Sequence, residues 1–424
     1  MHEVPFGTGS LSFAVPAGLV VETAVEPDLP VQPVADAARA ALASPVGSLP
    51  LDRKARGAYD AVLAVPDATR AFPVGEVLPM LLDAFEKAGI PPARVTVLVA
   101  TGLHRGTTDA ERTAILGAAA GRGATVVDHD ARGALRDLGR GAGGAPLWIS
   151  ERVAAAGFVA SLGVVEPHQY AGFSGGWKTV GIGCAGEETI AFTHSPRFLD
   201  SPKCRPGLVD GNPFQDLVKD MGRKARCRFA LNIVPGRDGG AVAAAAGDPG
   251  VVHRVLLTRA REACAVTVSE PADVVVAGVG APKDANLYQA SRAATNLVLG
   301  AFDAVKEGGT VVIPAPCPEG IGAGEGEKRF AEALRRGWQA VLAEKTRTFL
   351  AGEQRAWALA KVLEKRKVVI AGSSLSAGDL GALGLGAAAT VDEALAAAAA
   401  AGARRVLVVP RALRALPSGP GGKR

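Results

Sequence analysis

Aromatic side chains make up only 5% of this 424-residue chain, and no apolar run is long enough to cross a bilayer. The longest candidate, the alanine-rich stretch 394–402, is short and is soon followed by Arg404 and Arg405. Residues Met1 to Ser10 lack a basic patch followed by an apolar core, so neither an export signal nor a membrane span is expected, and the reading is a cytoplasmic protein. Cysteine is sparse as well. Cys184, Cys204, Cys227, Cys264 and Cys317 are odd in number, far apart and never spaced C-x-x-C, which argues against a disulfide framework and a zinc ribbon. Charge of one sign is missing too: 47 basic and 42 acidic residues are interspersed, for a formal charge of +5 without any long basic run. Nucleic acid is therefore not an expected partner. The small positive surplus suits an anionic small substrate or a phosphate-bearing cofactor.

What the chain has in quantity is alanine, valine and glycine. Hydrophobic residues fill 48% of positions, enough to bury a large core, and 53 glycines close many turns. The length exceeds one ordinary core, so two domains are expected. At the start, Val4-Pro5-Phe6-Gly7-Thr8-Gly9-Ser10-Leu11-Ser12-Phe13 alternates apolar and small polar residues around glycine, as a hairpin does. Strands at 61–65 and 95–99 flank a helical pattern over 75–88, the rhythm of a parallel sheet. Further strands are expected at 158–165 and 228–234. From 271 the rhythm restarts, with strands at 273–279, 310–315, 367–371 and 405–409 and helices over 290–305, 326–337, 354–364 and 391–402. The expected fold class is α/β in two domains, each built around a mainly parallel sheet with flanking helices. Residues 1–268 form the N-terminal domain that carries the chemistry and 269–416 a C-terminal α/β domain closing the substrate cleft, while 417–424 is a disordered tail.

In open α/β sheets, ligands bind beyond the carboxyl ends of the strands. Three of the expected strands end in Asp67-Ala68-Thr69-Arg70, in Thr101-Gly102-Leu103-His104-Arg105 and in Glu166-Pro167-His168. The first cluster offers an acceptor, a hydroxyl and a guanidinium fork that binds a carboxylate through two parallel hydrogen bonds; a salt-bridged turn is the plainer alternative. His168 leads into Gln169-Tyr170-Ala171-Gly172-Phe173-Ser174-Gly175-Gly176-Trp177-Lys178, whose small residues let the backbone approach a ligand, with Lys178 as a counter-charge. The spacing is not that of a P-loop. One histidine at a strand end is as often a surface residue as a functional one. His104, His168 and His194, together with Lys178, gain weight from their shared placement near strand ends and glycine turns, whereas His129 and His253 read as structural.

Taken together, Asp67-Ala68-Thr69-Arg70, Thr101-Gly102-Leu103-His104, Glu166-Pro167-His168, Gly175-Gly176-Trp177-Lys178, Glu188-Thr189-Ile190 with His194, and Tyr288-Gln289 resemble the motifs of the lactate racemase family in order and spacing. The likeness runs from Val4-Pro5-Phe6-Gly7 to Val406-Leu407-Val408-Val409-Pro410. It implies a racemase or epimerase that inverts the 2-carbon of a small 2-hydroxy acid, lactate-like or malate-like, by reversible hydride transfer to a nickel-pincer nucleotide. The same resemblance implies that Lys178 tethers this cofactor, that His194 ligates nickel, that His104 and His168 are the paired acid/base groups, and that Arg70 holds the substrate carboxylate. Asp67 and Thr69 are implied near the cofactor phosphate or Arg70, Gly175 and Gly176 along the cofactor, and Tyr288, Gln289 and Arg292 in the substrate cavity. Proteins that make the cofactor and insert nickel are the implied partners.

Physical reasoning agrees with these roles. Removing hydride from the substrate carbon requires the hydroxyl proton to leave, so a base must stand within hydrogen-bond reach. An enzyme that accepts both enantiomers needs one base on each face of the planar keto intermediate, and imidazoles titrating near about 6.5 suit neutral pH. An imidazole and two soft sulfurs suit square-planar Ni(II). Two positions depart from the family's pattern: Arg292 stands where lysine is common, and Glu353-Gln354-Arg355 where Asp-Gln-Trp is. Arg292 reads as an anion contact, and Arg355 as an extra pocket cation or, more simply, a solvated helix residue. A non-catalytic nickel-nucleotide-binding or storage protein is the alternative from another class, against which stands the retention of both His104 and His168. A zinc hydrolase would need three protein ligands and an open water position.

Overall fold

The computed structural model describes residues 1–420 apart from Thr69, Ala71, Asp238 and 345–347. Its main strands are β1 (Val20–Thr23), β2 (Ala61–Pro66), β3 (Val95–Ala100), β4 (Thr125–Asp128), β5 (Phe158–Val164), β6 (Cys227–Pro235), β7 (Ala241–Gly247), β8 (Ala272–Ala277), β9 (Val305–Pro314), β10 (Lys367–Ala371), β11 (Gly386–Ala388) and β12 (Arg405–Val409). They build two six-stranded sheets, one in each of two compact units. The α/β class with two parallel-sheet cores is as expected.

The first unit comprises Asp28–Thr193 and Val209–Ala263. Its sheet runs β7-β6-β5-β2-β3-β4, parallel throughout except for the β6–β7 edge pair. Every residue of β2 and β5 is buried, which explains their unbroken apolar sequences, since a parallel sheet is covered on both faces. The helix Val74–Lys87 presents Val77, Leu78, Leu81, Leu82 and Phe85 on one face to the core cluster that includes Leu63 and Val97. Burying each such side chain stabilises by roughly 1.5–3 kcal/mol. This apolar layer fixes β2, β3 and β5 in register, and with them the loops that follow.

The second unit comprises Met1–Pro27, His194–Leu208 and Cys264–Arg424. Its sheet, β11-β10-β9-β8-β12-β1, is parallel at every pairing. The expected hairpin is present, pairing His2 with Phe13. Among the described residues, no helix is long and apolar enough to cross a membrane.

Three expectations are corrected. A single boundary at 268 does not describe the division, because β1 pairs with β12, placing Val21 opposite Val406, and 194–208 also joins the second unit. Backbone pairing between the two ends of the chain leaves no local signal. The tail does not begin at 417, because Leu416–Ser418 forms a strand parallel to Ala265–Thr267; residues 421–424 lie outside those described. The helix expected over 290–305 is two short helices, Leu287–Ala290 and Arg292–Val298, and by Val305 the chain is already strand. Asp303 accepts from the Val305 N–H at 3.0 Å, an Asx-type turn that redirects the backbone.

Candidate active site

β5, β2 and β3 lie side by side in the middle of the first unit's sheet, so their carboxyl ends deliver three loops to one edge. The loop after β2 reaches both neighbours. Asp67, buried to 8% exposure, accepts from His104 Nδ1 at 2.6 Å in the loop after β3. In the other direction, Arg70 Nη1 donates to Glu166 Oε1 at 2.6 Å just past β5. The carboxylate fixes the first imidazole's tautomer: Nδ1 carries the proton and Nε2 the lone pair. The His104 side chain is 54% exposed, so this base faces outward on a buried anchor. Asp67, expected near the cofactor phosphate or Arg70, is thus paired with His104. Arg70 uses one of its five N–H donors on Glu166, a residue the sequence offered only as part of a strand-end motif.

His168 is held in the opposite way. It is buried, and its Nδ1 accepts the backbone N–H groups of Tyr170 at 3.3 Å and Ala171 at 3.1 Å. A nitrogen that accepts two N–H groups carries no proton, so in the neutral ring the proton sits on Nε2. The following loop is fastened by buried side chains. Gln215 Nε2 donates to the carbonyls of Ala171 and Phe173 at 2.7 Å each, Asn212 Nδ2 to that of Tyr170 at 2.8 Å, and His253 Nε2 to that of Ser174 at 3.1 Å. Asn232 Oδ1 accepts the Gly176 N–H at 2.7 Å. Burial pushes the His253 pKa down to about 4, so it remains a neutral donor. Gly175 and Gly176 have φ of +92° and +59°, and a Cβ at either would lie 2.6 Å from Val165 Cγ2 or 3.0 Å from His253 Cβ. The packing of the loop itself demands glycine here, where the sequence suggested approach to a ligand. Lys178 follows, half-buried, with its N–H on the Gly175 carbonyl.

Two family models match the chain: the lactate racemase N-terminal domain over residues 6–207 and the lactate racemase C-terminal domain over 267–414. The lactate racemase of Thermoanaerobacterium thermosaccharolyticum is 32% identical over 335 residues, covering 77% of each chain. The chain belongs to the lactate racemase family. The lactate racemase of Lactiplantibacillus plantarum is 33% identical over 288 residues, 67% of this chain and 66% of that one. Among solved structures, the lactate racemase apoprotein of T. thermosaccharolyticum superposes with a TM-score of 0.87 at 28% identity, over 98% of this chain and 99% of that one. A Thermotoga maritima protein shares the fold, with a TM-score of 0.70 at 16% identity over 93% of this chain and 100% of that one. Lactate racemases are isomerases.

The remaining residues singled out by likeness to lactate racemases fall elsewhere. Thr69 lies outside the described residues. His194 is half-buried, directly after the helix Glu187–Thr193, and belongs to the second unit, as do Tyr288, Gln289, Arg292 and Arg355. Arg292 Nη1 approaches Gln289 Oε1 at 3.5 Å. Arg355 is not a solvated helix residue: its guanidinium lies 4.1 Å from the centre of the Tyr288 ring, and Nη1 donates to the Tyr288 carbonyl at 3.3 Å. A guanidinium over an aromatic face is attracted by the ring's negative face. Among the described residues, no three His, Cys, Asp or Glu side chains gather in a way that would hold a metal. The five cysteines are buried and none is in a disulfide among the described residues, and burial pushes the thiols of Cys227 and Cys317 up to about 12 and about 11, which leaves those two unreactive. His129 is also structural, with Nε2 on the Ala185 carbonyl at 2.9 Å. Sequence reasoning missed Glu166, Asn212, Gln215 and Asn232 as supports. Asn212-Pro213 is legible as a helix start, and Asn212 Oδ1 does accept from Phe214 and Gln215, but its second bond across the fold is not.

Proposed function

We propose that this chain is an isomerase inverting the 2-carbon of a small 2-hydroxy acid, and that it works in the cytoplasm with a nickel-pincer nucleotide. One observation carries the reading: a carboxylate-backed imidazole, His104, and a backbone-held imidazole, His168, leave the sheet on the two strands that flank the strand of Arg70. Storage of a nucleotide needs no such pair.

The donor set fits the cofactor. Without a cluster of three ligating side chains among the described residues, the chain suits a metal that arrives with most of its own donors and takes one imidazole, from His194. Lys178 would tether the nucleotide, with Gly175 and Gly176 shaping the turn before it. Gln169 Oε1, next in the chain to His168, is a buried acceptor with no partner among the described residues, which a bound group would satisfy. When bound, the nucleotide would supply the acceptor and donor of the substrate hydride.

The chain's own residues would do the rest. Arg70, steadied by Glu166, holds the substrate carboxylate, with Tyr288, Gln289 and Arg292 also given to the substrate. His104 takes the hydroxyl proton at Nε2, and Asp67 stabilises the imidazolium that forms. His168 presents Nε2–H to the oxygen on the other face. For His168 to take a proton there, its own must sit on Nδ1, so the Tyr170 and Ala171 N–H groups must first give way. The test is holo-enzyme, made together with the cofactor-building and nickel-inserting proteins, given single enantiomers of lactate, malate, phenyllactate and a sugar acid, with chiral analysis of the products. Inversion together with bound nickel and a mass increase on Lys178 is expected. Nickel binding without inversion of any acid would point to storage.

Arg355 favours a second reading of the substrate. Its Nε is buried and has no hydrogen-bond partner among the described residues, a donor suited to a second carboxylate. On this reading malate is preferred over lactate, and Arg355→Trp reverses the preference. A wide lactate preference that Arg355→Trp leaves unchanged would remove it.

A further inference from the structure

At the other end of the same sheet, the amino ends of β5 and β6 border a cavity of about 430 Å³ lined by Lys54, Trp177, Arg223, Arg226, Arg228 and Asp248, among others. The length of β5, roughly 20 Å, lies between the end of the strand at this cavity and the end that leads to His168. Four cations face one carboxylate, and that carboxylate is engaged: Asp248 Oδ1 accepts the N–H groups of Gly250 at 3.0 Å and Val251 at 3.1 Å at a helix start. Other contacts hold the guanidinium groups in place. Arg226 donates to the Ala154 carbonyl at 3.0 Å and Arg228 to the Gly157 carbonyl at 2.7 Å, while Arg223 lies 5.3 Å from the Trp177 ring and Arg228 4.6 Å from the Phe158 ring. Arg226 also sits at φ 53°, a left-handed conformation unfavourable for a long side chain and found where the surroundings impose it.

We infer that this cavity is a second anion-binding site, which takes a small molecule bearing phosphoryl groups. Like charges gathered around one cavity repel each other, and a multiply charged oxyanion relieves that repulsion. Arginine forks already anchored on one N–H keep their other donors for phosphoryl oxygens at little ordering cost. The volume exceeds the needs of a single carboxylate. The wall also includes Trp177, whose chain neighbours are Gly176 and Lys178, so an occupant presses on the loop that ends at Lys178.

The test is titration calorimetry of the full holo-chain at fixed ionic strength with inorganic phosphate, pyrophosphate, AMP and citrate. Pyrophosphate is expected to bind with a Kd below about 1 mM, and at least tenfold more weakly in Arg223→Gln/Arg228→Gln. Tighter binding of AMP would identify a nucleotide as the natural form, and of inorganic phosphate or pyrophosphate a free phosphate. If the double variant is unfolded by circular dichroism, Lys54→Gln and the indole 15N signal of Trp177 in the unaltered chain take its place, with weaker binding and a shifted signal expected. No binding at 10 mM, a figure set about ten times above that Kd, equal binding by the substituted chains, or tighter binding of citrate would each overturn the assignment.

Discussion

The loops of His104 and His168 place the same side chain at the same edge of one sheet by opposite means. His104 is half-exposed, rests on the carboxylate of Asp67 and leaves Nε2 as an acceptor. His168 is buried, rests on two backbone N–H groups and leaves Nε2 as a donor. The first depends on a hydrogen bond to one carboxylate, and the second on a loop held by Asn212, Gln215, Asn232 and His253. In the proposed mechanism the two acid/base groups are not a matched pair: the backing group sets the tautomer, and the tautomer sets which partner starts as base.

The largest test of that contrast is removal of each imidazole. His104→Ala and His168→Ala are each expected to lower racemisation of the preferred acid by about 10²–10⁴-fold. Added imidazole should restore part of the activity in His104→Ala, whose site is open to solvent, and none in His168→Ala. Equal rescue of both, measured by chiral product analysis, would erase the distinction.

Acid should separate the two regions next. The His253 pKa, about 4 in the fold, lies below the unfolded value of about 6.5. The unfolded chain therefore binds the proton first: stability from this group is complete above pH 6.5 and is lost as pH falls towards 4, by about 3 kcal/mol in total. Denaturant unfolding at several pH values should show this slope, and His253→Gln should flatten it. A slope that persists in His253→Gln belongs to another group.

A smaller effect comes from Gln215, which spans two carbonyls of the His168 loop. Gln215→Ala leaves both without this donor and should cost about 1–3 kcal/mol of stability, with faster amide exchange over 170–176 and none around His104. Smallest in its effect on the His168 loop is Asp67→Asn, which keeps the shape but not the charge opposite His104 and should lower turnover by up to about 10⁴-fold, since the tautomer is no longer fixed, while leaving amide exchange over 170–176 unchanged. Ring 15N shifts sharpen the comparison directly: the proton on His104 should be found at Nδ1, and that on His168 at Nε2. The same tautomer at both positions would break it.

Much of this was legible along the chain. Continuous apolar segments announced β2, β3 and β5 as buried parallel strands, and the polar clusters after them announced the edge where Asp67, Arg70, His104 and His168 stand. The glycines at 175 and 176 announced a tight turn, and the joint spacing of the motifs pointed to the right family. All of these are local properties: strand burial, turn conformation and motif order are written within a few residues of one another. What the fold alone decided is non-local. Which nitrogen of each histidine is held depends on Asp67, 37 positions from His104, and on a loop fastened by residues 42 to 79 positions away, and the membership of β1 in the second sheet depends on a strand near the far end of the chain. A hydrogen bond reads distance in space, and a sequence records only distance along the backbone.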